Sequence, residues 1–151
     1  MKDFTAVKAS SRVAVACTPA AAFAYVSDIT THPHWSPDNI RVLKAPDGPP
    51  ALGARYRTVG FSVVAKTDVE ADLEVTAFEP PHRFVFVASN GPRTFENVFT
   101  FTPSDGGTLV ERTISFMAPS QALDGLKAVD REVTLRRDKA LQMLKERLEQ
   151  K

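Results

Sequence analysis

The C-terminal stretch 121–151 constrains the fold more than any other part of the chain, because its residues predict one long amphipathic helix. At about 100° per residue, its apolar side chains fall in one stripe along the whole helix: Leu123, Leu126, Val129, Val133, Ala140, Leu141, Leu144 and Leu148. A helix of about thirty residues extends over about 45 Å, at about 1.5 Å per residue. The rest of the chain must therefore supply an apolar surface of similar length.

The residues before this helix predict β-strands joined by short turns. Stretch 67–77 has the clearest pattern, because apolar and polar side chains alternate along it with a period of two. We expect about seven strands in a curved antiparallel sheet with one polar and one apolar face. The other predicted strands cover residues 4–17, 40–44, 54–64, 83–89, 94–102 and 108–117.

Two short helices are predicted after the first strand. Thr18 followed by Pro19 is a typical helix start, since threonine caps the first turn and proline fits its first position, and helix formers follow over 20–27. Asp28 is expected to cap a second helical turn within 28–37. The order of one strand, two short helices, six strands and one long helix predicts an α+β fold in which the sheet wraps around the terminal helix.

Composition and charge exclude several classes of protein. A chain of 151 residues can bury its own core, and we expect residues 1–151 to form one domain. The 19 basic and 18 acidic side chains give a formal net charge of +1, which leaves no electrostatic basis for binding nucleic acid. No apolar stretch approaches the length of about eighteen residues that a membrane span needs, so stable membrane insertion is not expected. Cys17 is the only cysteine and no secretion signal opens the chain, which predicts a cytoplasmic protein.

Four polar residues occupy positions where the pattern predicts apolar side chains: Asn97, Arg112, Asp130 and Arg137. Burying them without partners would be costly, so they indicate a cavity. In one interpretation, Asp130 or another acid pairs with one arginine, and Arg137 keeps its guanidinium at the cavity mouth. In a second, Arg112 or Arg137 binds the carboxylate or enolate of a ligand through its planar guanidinium. In a third, the faces of the strands are wrongly assigned.

Aromatic residues supply further candidates. Trp35 in the connection after the first helix, Tyr25 on that helix and Tyr56 on a strand are each predicted either to line a cavity or to pack in the core. The alternating acidic residues within 68–74 predict a solvated strand face or, as the alternative, a surface for a partner protein.

Motifs for metal binding and covalent catalysis are absent. His32, His34 and His82 are not accompanied by a further cysteine or by Glu-x-x-His spacing, so no metal ion or other cofactor is predicted. The sequence has no Gly-x-Ser-x-Gly and no glycine-rich phosphate loop, which argues against covalent hydrolysis and nucleotide chemistry. Cys17 lies among small apolar residues and is predicted to pack rather than react.

Several segments resemble the START-like, or helix-grip, superfamily, and most closely its polyketide cyclase/dehydrase branch. The resemblance runs nearly from end to end. It implies an apolar internal cavity between the sheet and the long helix, with the two short helices closing one end. The segments that carry it are 18–28, 32–37, 75–81 with Phe84, and 100–101 before 106–108.

Together these patterns predict a protein that binds or carries an apolar or aromatic small molecule, lipid-like or polyketide-like, as a monomer or homodimer. One alternative is a polyketide cyclase/dehydratase-type enzyme that depends on Arg112 or His34. Another is a protein interaction module resembling chaperone activators. The predicted ligand-binding residues are Tyr25, Trp35, Tyr56, Phe86, Asn97, Phe99, Arg112, Asp130, Val133 and Arg137.

Overall fold

The computed structural model of the protein describes residues 3–150. The strands are Phe4–Val15 (β1), Arg41–Lys44 (β2), Arg55–Ser62 (β3), Thr67–Glu79 (β4), Arg83–Asn90 (β5), Arg93–Ser104 (β6) and Gly107–Pro119 (β7). The helices are Pro19–Val26 (α1), a 3₁₀ helix at Ile29–His34, a 3₁₀ turn at Ser120–Ala122 and Leu123–Leu148 (α2). The predicted α+β helix-grip arrangement is confirmed; Lys151, the last residue of the predicted helix, lies outside the described residues.

All seven strands form one antiparallel sheet in the order β1-β7-β6-β5-β4-β3-β2. The strands from β2 to β7 therefore follow one another as hairpins, and β1 pairs with β7 along its whole length. At the end of that ladder, Thr108 Oγ1 donates a hydrogen bond to the Cys17 carbonyl at 2.7 Å. The backbone of Gly107 passes so close to the Val15 carbonyl that a Cβ atom at Gly107 would collide with it. No helix among residues 3–150 has the length and apolar composition needed to cross a membrane.

Local sequence signals set both short helices. Thr18 Oγ1 accepts a hydrogen bond from the Ala21 amide at 3.2 Å, and Pro19 starts α1. Asp28 Oδ1 accepts one from the Thr30 amide at 3.0 Å and caps the 3₁₀ helix. Both predicted caps are confirmed.

The apolar face of the sheet covers α1 and the C-terminal half of α2. Phe23 of α1 meets three rings of the sheet edge-on, with centroid distances of 5.2, 6.4 and 5.5 Å to Phe78, Phe84 and Phe101. Within α2 the buried residues are Ala140, Leu141 and Leu144.

The two halves of α2 pack differently against the rest of the molecule. In the C-terminal half, Lys145 Nζ donates a hydrogen bond to the Ala14 carbonyl at 3.2 Å, and Arg147 Nε donates one to the His34 carbonyl at 3.1 Å. In the N-terminal half, the apolar stripe is only half-buried, at Leu123, Leu126, Val129 and Val133. The sheet and helix therefore pack tightly at one end of α2 and loosely at the other.

One ion pair ties the loosely packed half of α2 to the segment before β2. Arg136 Nη1 lies 2.7 Å from Asp38 Oδ1, and the Arg136 guanidinium carbon lies 5.2 Å from the centroid of the Phe61 ring. The hydrogen bond to Asp38 raises the pKa of Arg136. This pair connects the middle of α2 to the segment before β2.

The acidic residues of β4 lie on the outer face of the sheet, beside arginines of β3. Arg57 pairs with Glu70 at 3.4 Å and with Asp72 at 2.8 Å, and all three side chains are exposed to solvent by at least 41%. Exposed pairs of this kind contribute about 0–1 kcal/mol each. The predicted exposure of these alternating acidic side chains is confirmed, and both a solvated face and a partner surface require it.

Candidate functional site

Polar residues interrupt the inner, apolar face of the sheet around Arg112. Directly paired residues of an antiparallel ladder point to the same face, and Arg112 on β7 pairs with Ser11 on β1 and with Phe99 on β6. The neighbouring row contains Asn97 on β6 paired with Phe86 on β5. Because Phe99 is completely buried, this face is the interior one. A guanidinium, a hydroxyl and an amide therefore lie side by side on an apolar surface.

Arg112 is held by one hydrogen bond and one aromatic ring. Its Nη2 donates to Asn97 Oδ1 at 2.9 Å, and its guanidinium carbon lies 5.4 Å from the centroid of the Phe99 ring, within the range of a cation–π interaction. Its Nε is buried and has no hydrogen-bond partner. The guanidinium is thus fixed through Nη2, while its Nε–H donor has no acceptor.

Arg112 has no direct ion-pair partner in the described part of the chain. Within residues 3–150, no carboxylate forms an ion pair with Arg112 or Arg137. Burial, together with the positive charge of Arg137, lowers the pKa of Arg112 to about 10, and the negative charge of Asp38 opposes the decrease. Arg112 is still protonated at neutral pH. The interior therefore holds a positive charge that an anionic group would stabilise.

Phe99, the ring beside this charge, packs against two further aromatic rings. Trp35 is 2% exposed, and its ring meets Phe99 edge-on with a centroid distance of 6.1 Å. Phe86 stacks on Phe99 at 6.3 Å. Of the predicted binding residues, the structure thus brings Trp35, Phe86, Asn97, Phe99 and Arg112 into one cluster. Aromatic rings beside a guanidinium suit a flat, apolar molecule that carries an acidic group.

His32 adds an uncharged imidazole to the cluster. Its Nε2 lies 2.9 Å from the Val26 carbonyl and so donates to it, which leaves Nδ1 with a free lone pair. The ring centroid lies 4.6 Å from that of Trp35. The pKa of His32 is lowered to about 4, chiefly by burial; the hydrogen bond to Val26 opposes the decrease, and the charge of Arg112 contributes to it. His34, the histidine considered for catalysis from the sequence, is exposed.

The predicted site residues of α2 lie at different depths. Arg137 is half-buried, and its Nη2 donates to Thr134 Oγ1 at 3.0 Å. Val133 is also half-buried. Asp130 is exposed, so its predicted place in the buried stripe is wrong, because this half of α2 packs only loosely and leaves its stripe partly open to solvent. The predicted ion pair between Asp130 and an arginine does not occur in the described chain.

Tyr56 and Tyr25 lie nearer to the short helices. Tyr56 on β3 is buried, and Tyr25 on α1 is half-buried. Burial raises the pKa of both phenols; the negative charge of Asp28 adds to the increase in each case, and Arg147 opposes it at Tyr25. Both tyrosines therefore lie within the electrostatic influence of one carboxylate. Contact between either hydroxyl and a ligand stays a prediction.

The sequence prediction did not include Ser11 or His32 among the binding residues. A signal for Ser11 was present, because it continues the inward alternation of Val13 and Val15, so a polar side chain replaces an apolar one there. The Ser11 Oγ is buried without a partner. For His32 the sequence has no such signal, since nothing in an irregular connection separates it from His34.

A separate surface pocket of about 420 Å³ opens beside α1. None of the predicted binding residues lines it, and it contains no charged group that could orient a ligand. Within the described residues, no cluster of three histidine, cysteine, aspartate or glutamate side chains could hold a metal ion. The pocket is lined by Ala20, Phe23, Ala24, Ser27, Pro50, Phe78, Pro80 and Pro81.

Solved structures of low sequence identity share this fold. TTHA0849 from Thermus thermophilus is 18% identical with a TM-score of 0.70, and the match covers 94% of this chain and 97% of that one. Ms6760 from Mycobacterium smegmatis is 21% identical with a TM-score of 0.66, covering 93% and 90%. The di-domain ARO/CYC BexL from the BE-7585A biosynthetic pathway is 12% identical with a TM-score of 0.73, covering 97% of this chain and 51% of BexL.

The family assignment comes from the sequence itself. Among curated proteins, no sequence matches this chain. The sequence profile of polyketide cyclase/dehydrase and lipid transport proteins, however, matches residues 6–149. This range extends from β1 to the end of α2 and includes Ser11, Arg112 and Arg137. The resemblance inferred from the sequence motifs is confirmed: the chain belongs to the polyketide cyclase/dehydrase and lipid transport family.

Proposed function

We propose that the protein binds an apolar or aromatic small molecule, lipid-like or polyketide-like, between the inner face of the sheet and the N-terminal half of α2. The observation that carries this proposal is the incomplete burial of α2. Val129 and Val133 are half-buried, whereas Leu144 on the same stripe is 0% exposed. Burying a valine or leucine side chain completely stabilises by about 1.5–3 kcal/mol. A ligand bound under α2 would cover the apolar surface of Val129 and Val133 that the chain itself leaves partly exposed.

The comparisons support this class of ligand. The family description names polyketide cyclases, dehydrases and lipid transport, which all involve largely apolar small molecules. The cluster around Arg112 supports the same proposal, because apolar walls with a few polar groups are typical of small-molecule sites. Shape and desolvation would supply most of the affinity, and Asn97, Arg112 and Arg137 would orient the molecule.

The proposal is tested with a neutral fluorescent probe, N-phenyl-1-naphthylamine, and a variant that fills the space under α2. Val133→Trp places a large side chain on the half-buried stripe. Leu135→Trp makes the same change on the same helix at a side chain that is 59% exposed. We expect the probe to bind wild type and Leu135→Trp equally and Val133→Trp at least tenfold more weakly.

Two results would overturn the proposal. The first is equal binding by all three proteins, which would place the probe elsewhere, for instance in the pocket beside α1. The second is the absence of binding by a correctly folded wild type, checked with a longer-chain lipid probe as well. Circular dichroism and thermal unfolding of each variant separate a filled site from a damaged fold.

His32 favours a second candidate function, a polyketide cyclase/dehydratase-type enzyme. Its uncharged imidazole could accept a proton from a substrate carbon while Arg112 stabilises the resulting enolate. Turnover of poly-β-ketone thioesters should then fall in His32→Gln and Arg112→Met but not in His34→Gln. Equal rates in all four proteins would remove this candidate. The remaining alternative, a protein interaction module, has no comparable support, because β3 arginines already pair with the acidic residues of β4.

A further inference from the structure

We infer that the ligand carries an anionic oxygen, a carboxylate or phenolate, which binds Ser11 Oγ and Arg112 Nε on the inner face of the sheet. This inference rests on the proposed function, because it specifies the chemistry of the molecule held under α2. It adds Ser11 to the site and assigns a distinct role to one edge of the Arg112 guanidinium.

The first support is the position of the unpartnered polar atoms. In the described part of the chain, the buried side-chain nitrogen and oxygen atoms without a hydrogen-bond partner are Ser11 Oγ and Arg112 Nε. These two residues are direct partners across the β1–β7 ladder. Side chains at such positions start about 4.5–5.5 Å apart. Both atoms are closed to water in this structure, so an acceptor atom reaches them by displacing the groups packed over them. It then satisfies both donors, whereas each donor left alone costs free energy.

The second support is that the Arg112 guanidinium is held in one orientation. Its Nη2 is held by Asn97 Oδ1 at 2.9 Å, and its guanidinium lies over the Phe99 ring. The Nε–H is thus fixed in place before any ligand binds. A preorganised donor loses little conformational entropy on binding, which makes its hydrogen bond more effective.

The third support is charge. Arg137 is close enough to lower the pKa of Arg112, and in the described chain neither guanidinium has a carboxylate as ion-pair partner. A neutral oxygen would satisfy the hydrogen bonds alone, whereas an anionic oxygen would also offset the two positive charges. Because Phe99 lies against Arg112 and Phe86 stacks on Phe99, the anionic group is expected on or near an aromatic ring.

The test compares two probes that share one ring system, 2-naphthoate and its uncharged amide, 2-naphthamide, by calorimetry at pH 7.5. Wild type should bind the naphthoate at least tenfold more tightly than the amide. Arg112→Met should abolish this preference, and Ser11→Ala should reduce it about threefold to tenfold, which corresponds to one hydrogen bond. Arg112→Lys keeps the charge but loses Nε–H, and should retain only part of the preference.

Ser10→Ala is the matched control, because Ser10 is the adjacent serine of β1, lies on the outer face and bonds to Thr113 Oγ1 at 3.0 Å. It should bind both probes like wild type. Equal binding of naphthoate and amide by wild type would overturn the inference, as would an unchanged preference in Ser11→Ala and Arg112→Met. If wild type binds N-phenyl-1-naphthylamine but not naphthoate, the inference is also overturned. The proposed function is unaffected by that result. Failure of folded wild type to bind naphthoate, N-phenyl-1-naphthylamine and the longer-chain lipid probe would remove the proposed function itself.

Discussion

Arg112 Nη2 donates a hydrogen bond to Asn97 Oδ1 at 2.9 Å, and the bond joins neighbouring strands on the interior face of the sheet. Two polar side chains at this depth stabilise the fold less than apolar side chains of similar volume would, because both must be removed from water. The bond also fixes the guanidinium beside Phe99. We therefore expect that replacing both residues with apolar ones preserves or raises the stability of the fold but weakens ligand binding.

A double-mutant cycle tests that expectation. Asn97→Leu alone should lower the free energy of unfolding by about 1.5–3 kcal/mol, because it leaves the buried guanidinium without its acceptor. The double variant Asn97→Leu/Arg112→Met should lie within about 1 kcal/mol of wild type or above it, and should bind naphthoate poorly. Urea unfolding measures the first effect and calorimetry the second. Strictly additive losses in the double variant would show that the two residues do not act as a pair.

The stability of the protein should depend on pH through His32. The pKa of His32 is about 4 in the folded protein, below the ordinary value of 6.5, so the unfolded chain binds the proton more tightly. The contribution of uncharged His32 to the free energy of unfolding is fully present above about pH 6.5. It is lost as the pH falls towards 4, by about 3 kcal/mol in total. His32→Gln keeps an N–H donor for Val26 but does not titrate, so its unfolding free energy should fall less over this range. Parallel pH profiles for the two proteins would refute the assignment.

Two glycines should respond in opposite ways to alanine. Gly107→Ala places a Cβ against the Val15 carbonyl, and should lower the free energy of unfolding by about 1–3 kcal/mol. Gly125→Ala in α2 meets no atom within 4 Å and should raise it by about 0.5–1 kcal/mol, because alanine is the better helix former. Thermal or urea unfolding compares them. A stabilised Gly107→Ala would contradict the close approach of β1 and β7.

Asp38→Asn should loosen the N-terminal half of α2. The ion pair with Arg136 is half-exposed, so its loss should cost about 1 kcal/mol or less. Amide hydrogen exchange should quicken several-fold over residues 126–137 and stay unchanged over 140–148, because other bonds hold the C-terminal half. Glu132→Gln, which removes the longer 3.5 Å contact with the same arginine, is the control and should have little effect. Uniformly faster exchange along α2 would contradict the division of the helix into two halves.

The architecture was predictable from the sequence, because its signals are local. Period-two alternation and turn residues set the hairpins of the sheet, and Thr18 with Pro19 set the start of α1. The face of β7 that carries Arg112 followed from the same alternation. For these elements the residues themselves determine where the chain turns and which side is buried.

The site was less predictable, because it depends on distances between elements. Helical periodicity gives the direction of Asp130 but not how far α2 stands from the sheet at that point, so the exposed position of Asp130 was missed. His32 and His34 lie in a connection without periodicity. The buried ring is distinguished from the exposed one by tertiary contacts, with Trp35, Phe86 and the Val26 carbonyl. The pairing of Ser11 with Arg112 joins the first strand of the chain to the last, which no local pattern reports.

The most direct test of the central claim is the location of a bound ligand, measured by chemical-shift perturbation in NMR spectra as 2-naphthoate is added. We expect the largest shifts at the Arg112 Nε–H, the Asn97 side-chain amide and the Val133 methyl groups, with small shifts at Ala20 and Ala24. Shifts confined to the surface pocket around Ala20, Ala24 and Phe78, with Arg112 and Val133 unchanged, would contradict binding between the sheet and α2.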